Sequence, residues 1–157
     1  MRNDPFARRD RVLAAIEIPA LGIWTGALLG FAFVSAPIAF RLFSPVDITR
    51  FAALTAQSLS VLTVWGYVLG GIAIVCAVLR AAMAGDRTAD FVRVLLVAIA
   101  LGLATYEQRA IVPAMTATPD VRGAAYQALH QRSSEVYGGV VLLALVALVL
   151  AAVRRDD

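Results

Sequence analysis

The sequence predicts an all-α fold, an integral membrane four-helix bundle built as two consecutive helical hairpins with both termini cytoplasmic. Three observations carry that expectation. Hydrophobic residues fill 61% of the 157 positions and the mean hydropathy is +0.79, whereas soluble domains are about half apolar. Four helical stretches contain apolar runs close to or beyond the roughly 20 residues that cross a bilayer. Between them stand short segments rich in Ser, Pro, Asp and Gly, where helices stop and start. The whole chain, 1–157, reads as one four-span domain.

The first helix is expected over about 12–43, after a start carrying Arg2, Arg8, Arg9 and Arg11. Its apolar run is too long for a cleaved leader, and Pro37 would follow a cut after Val34-Ser35-Ala36, so it reads as a retained span. Gly22, Gly26 and Gly30 recur every fourth residue and form a flat GxxxG-type ridge for close packing. The partner is either the second helix, with its own Gly66 and Gly70, or a second copy of the chain. Glu17, Trp24, Phe31 and Ser35 share a face, on which Trp24 reads as packing and Glu17 as a partner for Arg80 or Arg93. Pro37 is expected to kink the end of this helix or loosen its last turn.

Ser44-Pro45-Val46-Asp47 offers a cap, a first-turn proline and a carboxylate at the positive helix end, which starts a second helix over about 45–83. Ala84-Gly85-Asp86 breaks it. A third helix follows over about 89–112, ended by Pro113. Thr118-Pro119-Asp120 repeats the cap-proline-carboxylate start and opens a fourth over about 119–154. A displacement of 74 residues aligns Ser44 with Thr118, Pro45 with Pro119, Gln57 with Gln131, Ser60 with Ser134 and Arg80 with Arg154, as two related hairpins in parallel orientation would.

All 14 basic residues are arginine and the net charge of +3 is spread over the segment ends. No dense basic run exists to hold nucleic acid, so the lipid bilayer is the expected partner. The N-terminus, the 80–93 connection and the C-terminus carry four, three and two arginines, against two and three in the other two connections. That excess places both termini in the cytoplasm. Cys76, the lone cysteine, lies in an apolar run, forms no intramolecular disulfide and reads as a small packing residue.

The chemistry-bearing residues then collect on the outer side. At about 100° per residue, Tyr126, His130, Ser133 and Tyr137 fall within a sector of roughly 60° on the fourth helix. Gly102, Tyr106, Arg109 and Pro113 share a face of the third, expected to meet that stripe across the short connection. Ionisable groups at membrane depth are costly unless paired, so Glu107, Arg109, Arg132 and Glu135 are expected to include an ion pair. The cluster Tyr106, Glu107, Arg109, Pro113, Tyr126, His130, Ser133 and Tyr137 either seals the outer end of the bundle or binds a small ligand. His130, the only histidine, has three readings: a haem or metal ligand, a proton carrier, or a packing residue. No HxxxH or CxxC spacing accompanies it, so no metal site is assigned and no cofactor is expected. Ser133 and Ser134 lack an oriented base and an oxyanion hole, and no catalytic residue is assigned.

Trp24-Thr25-Gly26, Phe31-Ala32-Phe33, Pro37, Phe40, Pro113 and Leu129-His130 with Ser133 together resemble the uncharacterised bacterial four-helix membrane proteins related to eukaryotic transmembrane protein 205. Members of that family often carry an asparagine just after the His-Ser pair, where this chain has Tyr137 in the neighbourhood. The resemblance implies four helices, a bacterial inner-membrane location and no established reaction. Its eukaryotic members are associated with tolerance of platinum drugs. The expected function is that of a non-catalytic scaffold or accessory subunit, in a homo-oligomer or a larger membrane complex, whose outer polar cluster binds a partner or small ligand. The alternative is a haem- or metal-associated redox enzyme using His130, with Arg109 holding an anion. A small oligomeric transporter is the third reading.

Overall fold

The computed structural model describes residues 5–43, 47–83 and 88–153, and these form four long helices. The first combines α1 (Pro5–Gly30), a π-helical turn (Phe31–Ser35) and α2 (Ala36–Phe43). The second is α3 (Ile48–Met83). The third joins α4 (Thr88–Tyr106), a second π-helical turn (Glu107–Ile111) and α5 (Val112–Thr116), and the fourth is α6 (Ala124–Val153). Each of the four is long and apolar enough to cross a membrane.

Two boundaries differ from the expectation. The third helix does not stop at Pro113 but continues to Thr116. A proline ring collides with the carbonyl four residues back and offers no N–H. The π turn just before it takes up the strain: the Val112 N–H bonds to the carbonyl of Glu107, five residues back. The fourth helix begins at Ala124, not at 119. Thr118 donates its hydroxyl to the Ala114 carbonyl at 2.9 Å, so it closes the third helix instead of opening the fourth. Asp120 then accepts the Arg122 N–H at 3.0 Å, a local turn that delays the helix by one more turn. In the second helix Ser44, Pro45 and Val46 lie outside the described residues. Asp47 caps α3 directly, accepting the Arg50 N–H at 2.9 Å. The Ala84-Gly85-Asp86 break, Arg87 and Arg154 also lie outside the described residues.

The helices form a closed ring in which first packs on second, second on third, third on fourth and fourth on first. Leu21, Trp24 and Leu28 fill the centre against Ala73, Val97, Ala100, Ala104, Val140, Ala144 and Ala147. Small side chains bring the helix backbones close, and dispersion does the holding where a bilayer removes any hydrophobic drive. The outside is as apolar as the inside, with Ile23, Phe33, Val61, Phe91 and Leu142 all exposed. A surface of this kind suits lipid.

The two hairpins share a plan. Each π turn is followed two residues later by a proline, Pro37 in the first helix and Pro113 in the third, 76 positions on. The same separation relates buried Glu17 to Arg93, Leu21 to Val97, Trp24 to Ala100 and Leu28 to Ala104. In the second and fourth helices the separation is 74, relating buried Leu59 to Ser133, Gly66 to Val140, Gly70 to Ala144 and Ala73 to Ala147. Both prolines therefore lie at the same end of the bundle, called here the π-turn end.

Candidate functional site

At the π-turn end one carboxylate faces inward. Glu107 is 3% exposed, and its Oε1 accepts a hydrogen bond of 2.6 Å from the Ser133 hydroxyl on α6. The π turn brings it there, since it starts at Glu107 and follows a buried stripe of small residues, Val97, Ala100 and Ala104, on α4. No basic group lies within ion-pair distance of Glu107 among the described residues. Beside it is a small internal cavity of about 10 Å3, lined by Trp24, Leu62, Thr63, Gly66, Glu107 and Tyr137 among others. That is about the size of one water molecule. Tyr137 spans the bundle and donates its hydroxyl to the Leu28 carbonyl at 2.7 Å, while its ring meets Phe31 edge-on at 5.8 Å. Thr63 donates to the Leu59 carbonyl at 2.9 Å, which leaves its oxygen lone pairs free to accept.

The expected cluster is only partly brought together. Glu107, Tyr126, Ser133 and Tyr137 turn toward neighbouring helices, with Tyr126 and Ser133 buried. His130 is exposed, its ring 6.4 Å from that of Tyr126. Gly102, Tyr106, Arg109 and Pro113 do share a face, but that face is exposed and meets the fourth helix only at its edge, through Tyr106. Ala100, Ala104 and Glu107 hold the inward positions because small side chains permit the closest helix approach. The expected ion pair among Glu107, Arg109, Arg132 and Glu135 does not form among the described residues. Arg132 instead lies over the Tyr106 ring at 5.5 Å, and Glu135 accepts from Gln131 at 3.1 Å.

The packing glycines divide likewise. Gly66 lies against the Trp24 indole and Gly70 against Leu101 and Val97, so the second-helix glycines are where the first and third helices approach. A methyl group placed on Gly22, Gly26 or Gly30 would have nothing within 4 Å, so no helix of this chain packs closely onto the ridge. Pro37 is exposed beside its π turn.

The opposite end holds a charge network of which the sequence shows only the centre. Arg80 pairs with Asp10 and Glu17, each at 2.9 Å, and approaches Asp90 at 4.0 Å. Arg93 pairs with Glu17 at 3.4 Å and with Asp90 on its own helix. Glu17, expected to meet Arg80 or Arg93, meets both. Asp90 and Asp10 escape the sequence reading, although Asp90 and Arg93 stand one helical turn apart and Asp10 and Glu17 two turns apart, spacings that share a face. Glu17 and Asp90 each bridge Arg80 and Arg93, which come from different helices, and Asp10 adds a contact to Arg80, so the five groups tie the first, second and third helices together.

Chemically, the π-turn end offers one acceptor carboxylate with the Thr63 and Tyr137 hydroxyls around a water-sized space, and the Ser133 hydroxyl bonded to that carboxylate. Ser133 donates a hydrogen bond to Glu107, and no histidine is bonded to either among the described residues. Among the described residues no three His, Cys, Asp or Glu side chains gather as metal ligands.

No curated protein matches the chain, and no solved structure does. The profile of one family, described as a domain of unknown function, DUF4149, matches residues 20–124, from the core of the first helix through the second π turn to the start of the fourth. That is more than half of the sequence, and the chain belongs to the DUF4149 family.

Proposed function

We propose that this chain is a non-catalytic integral membrane protein, a scaffold or accessory subunit with both termini cytoplasmic, whose outer half holds a buried site for a small polar or cationic ligand. The observation that supports it is Glu107, a carboxylate 3% exposed that is held by a serine hydroxyl and not by an arginine. Ionisable groups at bilayer depth are expensive and mark binding or ion pathways when no packing demand explains them. The adjoining cavity of about 10 Å3 sets the occupant's size to that of a water, a hydrated proton or a small monovalent cation. Glu107, Thr63 and Tyr137 line this cavity with oxygen-bearing side chains, the donor type that hard cations take, and Ser133 holds the carboxylate. The arginine asymmetry puts this site on the outer side.

The probe is sodium ion. Thermal unfolding of the detergent-purified protein is followed in sodium chloride and in choline chloride of equal ionic strength, with Glu107→Gln as the control. A site of this kind raises the unfolding midpoint in sodium in the wild type and leaves Glu107→Gln indifferent to the cation, because a ligand that binds only the folded state stabilises it. Identical midpoints in the two salts for both proteins would overturn the cation site. A visible absorption band in the purified protein, lost in His130→Ala, would move the reading to a cofactor-bearing redox protein.

A further inference from the structure

A second opening at the π-turn end lies outside the Glu107 site. Between the first and second helices is a lateral cleft of about 660 Å3, lined by Gly30, Val34, Ser35, Leu54, Gln57 and Val61 among others. Its size falls in the range of about 300–1,000 Å3 common to ligand pockets. A side chain added at Gly30 would meet nothing within 4 Å, so the floor of the cleft is open there.

The equivalent groove between the third and fourth helices is filled. By the separations of 76 and 74 that relate the two hairpins, Tyr106 stands where the first hairpin has Gly30, and Arg132 where it has Ser58. The Arg132 guanidinium lies over the Tyr106 ring at 5.5 Å and closes that side. One hairpin plugs the groove with an aromatic and a cation. The other leaves it empty with a glycine and a serine.

The cleft has a distinct outer end. Phe40 and Phe51 meet edge-on at 5.4 Å across the two helices, and next to them the Arg50 guanidinium sits 5.9 Å over the Phe43 ring. Arg50 is one helical turn beyond Leu54 on the same helix, so a cation lies toward this end of the apolar slot. A helix from a second copy needs a groove open at both ends and about 10 Å across. The Phe40–Phe51 contact bars one of those ends. An extended hydrocarbon chain needs neither condition. Gln57 is exposed in the same cleft, two helical turns from Arg50, and offers amide donors that suit the ester carbonyls of a lipid.

We propose that this cleft holds one acyl chain of an anionic membrane lipid, with the headgroup against Arg50. The site is separate from the Glu107 cavity, although Leu62 lines both, and it stands or falls independently of any cation bound there.

The test uses the full chain in nanodiscs doped with phosphatidylglycerol that carries a photoactivatable diazirine on one acyl chain, with adducts mapped by mass spectrometry. Adducts are expected to concentrate on Val34, Leu54 and Val61, above the equally lipid-exposed Leu142 and Val149 of the fourth helix. Gly30→Tyr, which gives the first hairpin the plug of the second, brings labelling at those positions down to the level of Leu142. Arg50→Gln lowers labelling by the phosphatidylglycerol probe about fivefold, the effect of one basic residue on an anionic headgroup, and leaves labelling by a phosphatidylcholine probe unchanged. Protection of the Cys76 thiol reports that each variant is folded. Labelling spread evenly around the bundle, or undiminished in Gly30→Tyr, overturns the cleft as a lipid site. Equal labelling by both probes in the wild type overturns the anionic headgroup. Disulfide-linked dimers formed efficiently by Val61→Cys in the nanodisc would show a second copy in the cleft and overturn the lipid as its occupant.

Discussion

Replacing Arg80 by methionine should loosen the bundle far more than a change at the exposed edge of its charged end. The side chain is 6% exposed and meets three carboxylates: Asp10 and Glu17 at 2.9 Å and Asp90 at 4.0 Å. Methionine keeps much of the volume and removes the charge. Glu17, itself 1% exposed, is left with Arg93 alone at 3.4 Å. Breaking one side of a buried pair costs about 3–5 kcal/mol, mostly because a charge stays buried without its partner. The molecule carries its own reporter, since Cys76 is the only cysteine, is 4% exposed and lies one helical turn before Arg80. In detergent micelles its rate of alkylation by a maleimide follows the population of opened states. A loss of 3 kcal/mol then accelerates labelling by about a hundredfold. Asp10→Asn is the contrast: its side chain is 57% exposed, and an exposed pair contributes about 0–1 kcal/mol, so labelling should rise by no more than about fivefold. The double change Glu17→Gln with Arg80→Met removes one charge of each sign and should recover about 1–3 kcal/mol relative to the sum of the two single changes. Acceleration of less than about threefold in Arg80→Met, or equal effects of Arg80→Met and Asp10→Asn, would refute the assignment of this network as the tie between the helices.

The π-turn end and the glycines make further claims. Ser133→Ala takes from Glu107 its hydroxyl donor and should cost about 1.5–3 kcal/mol in denaturation by SDS followed by circular dichroism, whereas exposed His130→Ala should change stability by less than about 0.5 kcal/mol. Gly66→Ala puts a methyl 3.0 Å from the Trp24 Nε1 and should destabilise by about 1–3 kcal/mol in the same assay through forced displacement of the indole. Gly26→Ala meets nothing and should be neutral or gain up to about 1 kcal/mol from helix propensity; a marked loss, with dispersal of oligomers on a sizing column, would mean that another chain packs on the ridge. Reporter fusions at each terminus, of alkaline phosphatase and of a fluorescent protein, should show both termini cytoplasmic, and phosphatase activity at either would reverse the orientation.

The spans are legible in the sequence because nothing but a helix satisfies a long apolar backbone, and Gly, Pro, Ser and Asp mark where each must stop. The facing of the third helix is not. In a soluble helix the polar stripe points to water and the apolar stripe to the core, but here both faces are apolar and the inside is marked by small residues. Ala100, Ala104 and the approach of Glu107 therefore outrank the more conspicuous Tyr106, Arg109 and Pro113, which are exposed. Pro37 is legible as a perturbation and Pro113 as a stop. A π turn satisfies a proline without ending the helix, and nothing in residue type distinguishes that outcome from a break. Glu17 can be matched to both arginines because a lone acid deep in an apolar run has few ways to be satisfied. Asp10 and Asp90 lie near segment ends, where water is an equally good partner, so their part in the network waits on the three-dimensional arrangement.

The two ends of the bundle use the repeat differently. At the charged end the related positions Glu17 and Arg93 are complementary and meet each other, so the two hairpins are joined across their shared axis by a contact that neither could make with its own copy. At the π-turn end the corresponding positions differ in chemistry and do not meet. Phe31 and Leu59 in the first hairpin correspond to Glu107 and Ser133 in the second, an apolar pair against a hydrogen-bonded polar one. Gly30 and Ser58 correspond to Tyr106 and Arg132, an open groove against a filled one. Selection for packing alone would give both hairpins the same cheap apolar solution. A buried carboxylate on one side and an unfilled cleft on the other each cost stability, and their concentration at one end, opposite a firmly tied one, is what a binding surface built on a rigid base requires.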